Sequence, residues 1–595
     1  MSHPIEEYGL LSNCRTAALV SRHGSIDWFC PPRFDSASVF GALLGDEDHG
    51  RWVLRPRDPD ARSSRHYDGD TFVLVTRWET ASGVAEVHDV MPIDHERLDI
   101  VRRVVCIRGR VEFATRLTMR FDYARAIPWV RQVGTADEPA LEATAGPDAL
   151  LVRGVRLAPG DHAHSGSFTL GEGDVVDLVA SWHPSHTDDP GPLDVDAALA
   201  RTRDWWRERA GQIDHSGPHH DEVVRSLLVL HALSHRDTGG IVAAATTSLP
   251  EEIGGARNWD YRYVWLRDAA LTLEALVAHG FLGVAQDWRR WLLRAVAGDP
   301  AQMQIMYGIA GERDLAEREL VSLPGYAGSA PVRIGNGAVS QYQADVAGEV
   351  LVSLEAARQA GLAEDEFSWP LQQAIIDHVR DRIDRPDRGI WEIRGEPRMF
   401  TQSRAMMWAA FDRGLRAVER DGLPGDVDAW TAARDRLASE IDSRGVVDGH
   451  FVQAYGSDEV DAALLLLPQV GYCAPDDPRM LATVARIERD LMGDGFVHRY
   501  RTAAGTDGLA GGENAFLACS FWLVEQYAMS GRPDDAAALM DRVCAASSDL
   551  GLLSEEYDPA SGHQAGNVPQ ALSHLALVRA ADALAGHGGR AAHRK

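Results

Sequence analysis

Residues 258–272 read NWDYRYVWLRDAALT. The first eleven of them hold four aromatics (Trp259, Tyr261, Tyr263, Trp265) and four charges (Asp260, Arg262, Arg267, Asp268). The chain then runs on as LRDAALTLEALVAHG, apolar at helical spacing and closed by Gly280, which predicts a helix. An Asp near the positive end of a helix and an Arg in a surface ion pair would be ordinary there. The cluster of aromatics ahead of them points to more. Aromatic faces stack on sugar rings, and a planar Arg beside an Asp grips adjacent hydroxyls through paired hydrogen bonds.

Working outward, everything from about residue 219 carries a helical pattern. Helices are expected near 219–237, 262–280, 283–297, 341–361, 367–383, 402–422, 427–443, 458–466, 476–492, 513–530, 533–548 and 567–586. They fall into six consecutive pairs. Six helical hairpins close into a double ring, an (α/α)6 toroid whose funnel mouth is lined by the connecting loops. An open solenoid is the alternative, but no fixed-period repeat is visible. The long irregular loops 298–340 and 493–512 suit a decorated mouth better.

Before residue 195 the pattern is different. AALVSRHGSIDWFC (17–30), RWVLRP (51–56), TFVLVTRWET (71–80), IVRRVVCIRGRVEFATRLTMRF (100–121), ALLVRGVRL (149–157) and SFTLGEGDVVDLVASW (167–182) are β-branched runs broken by Gly, Asp and Pro. They predict an N-terminal antiparallel β-sandwich. VDAALARTRDWWRERAG (195–211) reads as one amphipathic helix, and QIDHSGPHH breaks it. The expected division is therefore a sandwich over 1–194, a linker helix over 195–218 and the toroid over 219–595. Within the sandwich, the loop 31–38 with Arg33 and Asp35 follows Trp28 and Phe29 and is expected to reach the toroid mouth as a lid. The alternative is a loop that only seals the sandwich against the linker helix.

Composition narrows the partners. The chain has 595 residues, 45% of them hydrophobic, with 88 Asp plus Glu against 60 Lys plus Arg and a formal charge of -28. That balance argues against nucleic acid and anionic membrane. No apolar run is long enough to span a bilayer, and MSHPIEEYGL has neither the basic start nor the apolar core of a signal peptide. The six cysteines (Cys14, Cys30, Cys106, Cys473, Cys519, Cys544) are scattered, without CxxC spacing. They read as reduced thiols of a cytoplasmic protein. No cofactor and no metal is implied, and His219-His220 reads as a solvated pair ahead of a helix. A homo-oligomer stays open.

Two loop carboxyls stand out. Glu392 follows Trp391 in RGIWEIRGEPRMF, and an indole beside a carboxyl lowers local polarity, which would raise its pKa as a general acid requires. Glu555 lies in LLSEEYDPASG, where Ser554, Tyr557 and Asp558 would favour an ionised base. Glycoside hydrolysis needs such a pair. Glu396 and Glu556 are candidates for the same two roles.

The chain resembles glycoside hydrolase family 15, the family of glucoamylases, glucodextranases and one class of trehalases. The likeness runs nearly end to end through PIEEYGLLSNCRTAALVSRHGSIDWFCPPRFDSASVFGALL, NWDYRYVWLRDAALT, PVRIGNGAVSQYQADVAGEV, GIWEIRGEPRMFTQSRAMMWAAFDR, GHFVQAYGSDEVDAALLLLP, GGENAFLACSFWLVE and LLSEEYDPASGHQAGNVPQALSHLALV. The resemblance implies a β-sandwich followed by an (α/α)6 toroid. It implies that Glu392 is the general acid and Glu555 the general base that activates water. Arg267 and Asp268 would hold hydroxyls of the terminal glucose. Tyr261 and Trp265 would belong to the same pocket, Trp391 to its wall and Arg499 to the sugar site. Ala347 stands where many relatives carry Tyr and Arg404 where many carry Lys, which puts the outer subsites in doubt.

The expected activity is inverting, exo-acting α-glucoside hydrolysis that releases β-glucose. Trehalose leads, because family members without starch-binding modules or a secretion signal are often trehalases. Short α-1,4- or α-1,6-linked oligosaccharides are the alternative. A disaccharide phosphorylase would lack the second carboxylate, and a catalytically dead sugar-binding scaffold would not keep both.

Overall fold

A single 21-residue strand, Leu98–Thr118, runs through both sheets of the N-terminal domain. The computed structural model describes residues 3–296, 302–502, 507–508 and 512–586. The first half of the long strand pairs with Gly83–Val90 and Val175–Pro184, and its second half with Arg51–Pro56 and Ala163–Gly171. All of these pairings are antiparallel. The strand changes partners near Gly109, whose φ of +72° and close approach to the Ser82 carbonyl oxygen, 2.4 Å from where a Cβ would sit, leave no room for a side chain.

Arg102 on this strand ties the two layers together. Fully buried, it pairs with Asp89 at 2.7 Å and donates to the carbonyls of Trp52 at 2.8 Å and Gly24 at 2.9 Å. A buried guanidinium is tolerated because its donors are taken up by a carboxylate and carbonyls. Its guanidinium lies over the Trp52 ring, 5.3 Å from the centroid, and Trp28, Trp52, Leu54, Leu74, Val104, Phe113 and Leu150 belong to the buried apolar core. The expected sandwich is thus present, with one left-handed turn, α1 (Phe121–Ala124), inside it.

Helix α2 (Val195–Ala210) starts at an Asp194 cap, whose side chain accepts from Ala197 N–H at 3.0 Å. It buries Val195, Ala198, Leu199, Thr202 and Trp206 on one face. Trp206 meets Phe72 of the sandwich edge-on at 4.7 Å.

The helical domain closes as a ring. Its helices are α3 (His220–Ala232), α4 (Leu266–Ala278), α5 (Leu282–Val296), α6 (Val346–Gln359), α7 (Ser368–Asp381), α8 (Thr401–Asp421), α9 (Val427–Arg444), α10 (Pro478–Asp490), α11 (Leu517–Met529), α12 (Pro533–Cys544) and α13 (Ala571–Leu584). A 3-10 turn, Ala462–Leu466, fills the remaining position. The inner members α4, α6, α8, the 3-10 turn, α11 and α13 touch in that order, and α13 returns to α4. Inner helices such as α11 are buried almost all round, whereas outer α10 buries only Met480, Thr483, Val484 and Ile487.

Two expectations need correction. The segment 458–466 is not an α-helix: Asp461 is extended, with φ -134° and ψ 166°, and the Ala462 N–H is taken by the Arg499 carbonyl at 2.8 Å, so that only the 3-10 turn Ala462–Leu466 forms. Four other inner helices begin four or five residues later than the apolar pattern suggests. The residues ahead of them are extended, as Val264–Trp265 against Met306–Tyr307 and Ala515–Phe516 against Glu556–Asp558 show. Their apolar side chains serve the pocket rather than a helix face. Of the loop 493–512, residues 503–506 and 509–511 lie outside the described residues.

The sandwich docks on the ring through the quoted stretch. Trp28 Nε1 donates to the Ala245 carbonyl at 3.0 Å. Arg262, wholly buried, pairs with Asp260 at 2.7 Å, donates to the Ser36 carbonyl at 2.8 Å and reaches Tyr123 Oη at 2.9 Å.

Candidate active site

The eight residues singled out in the sequence, Tyr261, Trp265, Arg267, Asp268, Trp391, Glu392, Arg499 and Glu555, all line one pocket. It opens at the N-terminal ends of the inner helices. Trp265, Phe516 and Gln570 are the residues that cap α4, α11 and α13, and each lines it. Helix N-termini present free N–H groups and a partial positive charge, which favours electron-rich groups in the funnel.

On one side stands Glu392. It occupies a left-handed conformation, φ 55°, in the loop closed by the paired Asp387 and Arg398 backbones. Such a conformation costs a non-glycine residue about 1–3 kcal/mol and persists only where the surroundings hold it. They do: the Glu392 N–H bonds the Gly389 carbonyl at 3.2 Å, and Gln341 Nε2 donates to the Glu392 carbonyl at 3.1 Å. Trp265 Nε1 donates to Glu392 Oε1 at 2.7 Å, and Arg267 Nη2 lies 3.5 Å from the same oxygen. The indole expected beside Glu392 is therefore Trp265. Trp391 instead donates to Asp461 at 2.9 Å and packs its ring among Tyr500, Phe516 and Trp522.

Glu555 also lines the pocket, held just ahead of the Glu556–Asp558 strand. Gly566 lies against it: a Cβ at 566 would come within 2.6 Å of the Glu555 side chain. Tyr261 Oη donates to Glu555 Oε1 at 2.7 Å. Burial, then the nearby charge of Glu251, push the Glu555 carboxyl up to about 8, against the opposing pull of Arg499 and the Tyr261 hydrogen bond. This corrects the sequence reading, which took Ser554, Tyr557 and Asp558 as polar surroundings. Ser554 turns its hydroxyl to the Glu556 carbonyl and Asp558 faces Ser561, so the carboxyl itself is enclosed.

The Arg267–Asp268 pair lines the same pocket beside Glu392. Arg267 Nε sits 3.3 Å from Asp268 Oδ2, yet neither atom makes an aligned hydrogen bond among the described residues. Arg267 Nη1 donates to Gln343 Oε1 at 3.1 Å and lies 3.6 Å from Asp345. Burial raises the Asp268 carboxyl, opposed by Arg267. Polar atoms left without hydrogen bonds at a pocket wall are suited to a ligand's hydroxyls.

Arg499, expected in the sugar site, stands in an acidic cluster with Glu251 and Glu513 that the sequence did not show. Arg499 Nη2 touches Glu513 at 2.6 Å, Glu251 at 3.1 Å and Glu556 at 3.4 Å. Arg257 joins Glu513 at 3.1 Å and Asp507 at 2.7 Å. The three glutamates bring carboxylate oxygens within 4.8 Å of one another, spacing that a cation could use, but the guanidinium of Arg499 already stands among them. Trp259 donates to Glu251 at 3.1 Å and is stacked by Arg333 and Arg394, with centroid distances of 4.5 and 4.1 Å. Glu251, Arg257 and Arg394 line the pocket but carried no sequence signal, because their partners are far away in the chain. Trp259 was visible as a member of the aromatic cluster.

Other candidates fall away. Glu396 is exposed and Glu556 is bound to Arg499 and the Asn514 N–H, and neither lines the pocket. Ala347 and Arg404 do not line it either; Arg404 is buried against Glu440 at 3.0 Å. The loop 31–38 contributes no lining residue. Arg33 pairs with Asp35 at 2.8 Å and with Glu312 at 2.9 Å, and the Phe34 and Ser36 carbonyls of the loop accept from Arg262 at 3.3 and 2.8 Å.

Comparison with known proteins adds to this geometry. The family model described as Glycosyl hydrolases family 15 matches residues 217–582, and that described as Trehalase-like, N-terminal matches residues 1–166. A trehalase of Mycolicibacterium smegmatis is 37% identical over 611 residues, covering 97% of this chain and 90% of the relative. A trehalase of Thermoplasma volcanium is 33% identical over 600 residues, covering 98% of this chain and 93% of the relative. A bacterial glucoamylase solved in complex with acarbose shares the fold with a TM-score of 0.74 at 12% identity, over 98% of this chain and 94% of that one.

Proposed function

The chain belongs to family 15 of the glycosyl hydrolases, and from that membership we propose that it is an inverting trehalase, splitting trehalose and water into two glucose molecules. The observation that carries the proposal is the pair Glu392 and Glu555 lining one pocket, each fixed by an aromatic hydrogen bond from the same stretch, Trp265 and Tyr261. Likeness to trehalases over nearly the whole chain supports the substrate.

In this reading Glu392 is the general acid. It gives its proton to the bridging oxygen as the bond to C1 breaks. Glu555, once ionised, takes a proton from water, whose oxygen attacks C1 from the opposite face. Tyr261 holds the base and stands near that water. Arg267 and Asp268 bind hydroxyls of the glucose that is attacked, Trp391 walls it, and Arg499 orders the acidic side. The division into a sandwich over 1–194, a linker helix over 195–218 and a catalytic toroid over 219–595 belongs to the same proposal. So do a cytoplasmic location and a small carbohydrate, rather than nucleic acid or membrane, as partner. No helix among the described residues is long and apolar enough to cross a membrane.

A panel of trehalose, maltose, isomaltose and soluble starch, followed by early proton NMR, tests it. Trehalose is expected to be cleaved fastest, and its two glucoses to appear as one β and one α anomer. Faster cleavage of maltose or isomaltose would reassign the enzyme as an exo-glucosidase on short oligosaccharides. Release of α-glucose alone from trehalose would refute inversion, and sugar phosphate formed with added phosphate would make it a phosphorylase.

A further inference from the structure

Far from the pocket in sequence, the first turn of the chain meets a hairpin of the sandwich. His3 Nδ1 lies 3.9 Å from Glu7 Oε2, and His23 Nε2 lies 3.6 Å from that same oxygen. The two imidazole rings face each other with centroids 4.5 Å apart. All three ligand-type atoms fall within 4.8 Å of one another. We propose that His3, Glu7 and His23 form a divalent-cation site, selective for a borderline transition metal such as Zn2+ or Co2+, that fastens the N-terminal turn to the sandwich.

The donor set decides the kind of ion. Two imidazoles and one carboxylate suit Zn2+, Co2+, Ni2+ and Cu2+, while Mg2+ and Ca2+ prefer all-oxygen sites. With metal–ligand bonds of about 2.0–2.2 Å, tetrahedral ligands stand roughly 3.3–3.6 Å apart. The two His–Glu7 separations, 3.9 and 3.6 Å, need to close by only a few tenths of an ångström, and three protein ligands leave a position for water.

The backbones that carry the ligands are held independently. Tyr326 Oη, from the toroid, donates to the His3 carbonyl at 2.8 Å. The Glu7 N–H bonds the Pro4 carbonyl at 3.0 Å, closing the turn Ile5–Glu7, and the Arg22 N–H bonds the Glu7 carbonyl at 2.9 Å beside His23. Arg65 donates to the Glu6 carbonyl at 3.0 Å. Only side-chain torsions have to adjust on binding. The cleft beside His3 is lined by Asp27, Asp46, Glu47 and Asp48 with Arg51, which pairs with Glu47, and the remaining negative charge draws a cation in. Asp27 is not a ligand here, since the Tyr8 hydroxyl donates to it at 2.8 Å and Ser25 also bonds it. Glu6, between the ligands, is bound instead to His563. The site has no part in the proposed hydrolysis.

The test is titration of the untagged, chelator-treated full chain with Co2+, followed by its visible d–d absorption, and with Zn2+ by calorimetry. One tetrahedral Co2+ per chain is expected, with a Zn2+-dependent rise in Tm and no effect of Mg2+. His23→Gln, an exposed change that leaves the fold intact by circular dichroism, is expected to weaken binding at least about tenfold, as is Glu7→Gln, while hydrolysis stays at the parent rate. Absence of stoichiometric Co2+ uptake would overturn the proposal. So would uptake that His23→Gln leaves unchanged, since the ion would then sit elsewhere.

Discussion

Tyr261 Oη donates to Glu555 Oε1 at 2.7 Å, and it does so to a carboxyl that burial and Glu251 push up to about 8. The group proposed as base is thus enclosed and reluctant to ionise in the free enzyme. Its replacement separates function from stability. Glu555→Gln is expected to lose about 10²–10⁴-fold in kcat, as is Glu392→Gln. A pKa raised above the unfolded value of 4.5 means the folded state holds its proton more tightly, so this group's stabilisation is present below 4.5 and lost as pH rises through about 8. Glu555→Gln has no such loss. Its Tm should exceed the parent's by a gap that opens across that window, worth on the order of 1–4 kcal/mol above it. Equal Tm values at pH 5 and pH 9 would contradict the enclosed carboxyl.

Glu251 is the charge that most raises Glu555 after burial itself. Glu251→Gln removes that repulsion and leaves Arg499 freer to attract Glu555. The acidic limb of the kcat/KM profile is expected to move to lower pH, by about one unit or less. A limb that stays in place while the rate falls would show that Glu251 only shapes the wall.

Asp268→Ala takes away an oxygen that has no hydrogen bond of its own among the described residues, and it leaves Arg267 to Asp345 and Glu392. Both kcat and KM on trehalose are expected to worsen, with kcat/KM down roughly 10²-fold or more. Unchanged kinetics would mean that the pair is structural.

Arg262→Ala breaks a wholly buried pair with Asp260 and frees the Ser36 carbonyl and the Tyr123 hydroxyl. The expected cost is about 3–5 kcal/mol, read by denaturant unfolding. Replacing 31–38 with a Gly-Ser turn is expected to lower stability in the same way while leaving the ranking of short and long substrates as it was. A shift of preference toward longer oligosaccharides would restore the loop to the mouth.

What the sequence disclosed follows from how local each signal is. The β-then-α division and the ring position of nearly every helix come from periodicity within a dozen residues, and they are present. Arg267, Asp268, Trp265 and Tyr261 were readable because one short stretch carries them all. Glu392 and Glu555 were singled out and line one pocket, but the surroundings of each were misread. Sequence neighbours such as Trp391 and Asp558 turn away, and the groups that matter, Trp265 and Glu251, arrive from elsewhere in the fold. The 3-10 turn at 462–466 and the late starts of the inner helices were hidden for a related reason. An apolar side chain lining a funnel and one facing a core leave the same mark in the pattern.

The ring is shut by its last described helix. Helix α13 packs against both α3 and α4, and Gln570 and Leu572 at its start line the pocket. A ribosome therefore has to make residues 571–584 before the funnel can have a complete wall. Until residues 571–584 emerge, the faces of α4 and α11 that α13 covers stay exposed, and apolar surface left open in this way is prone to aggregation. Chains arrested before residue 571 should show no hydrolysis, and activity should arise only when the last turn of the ring leaves the exit tunnel.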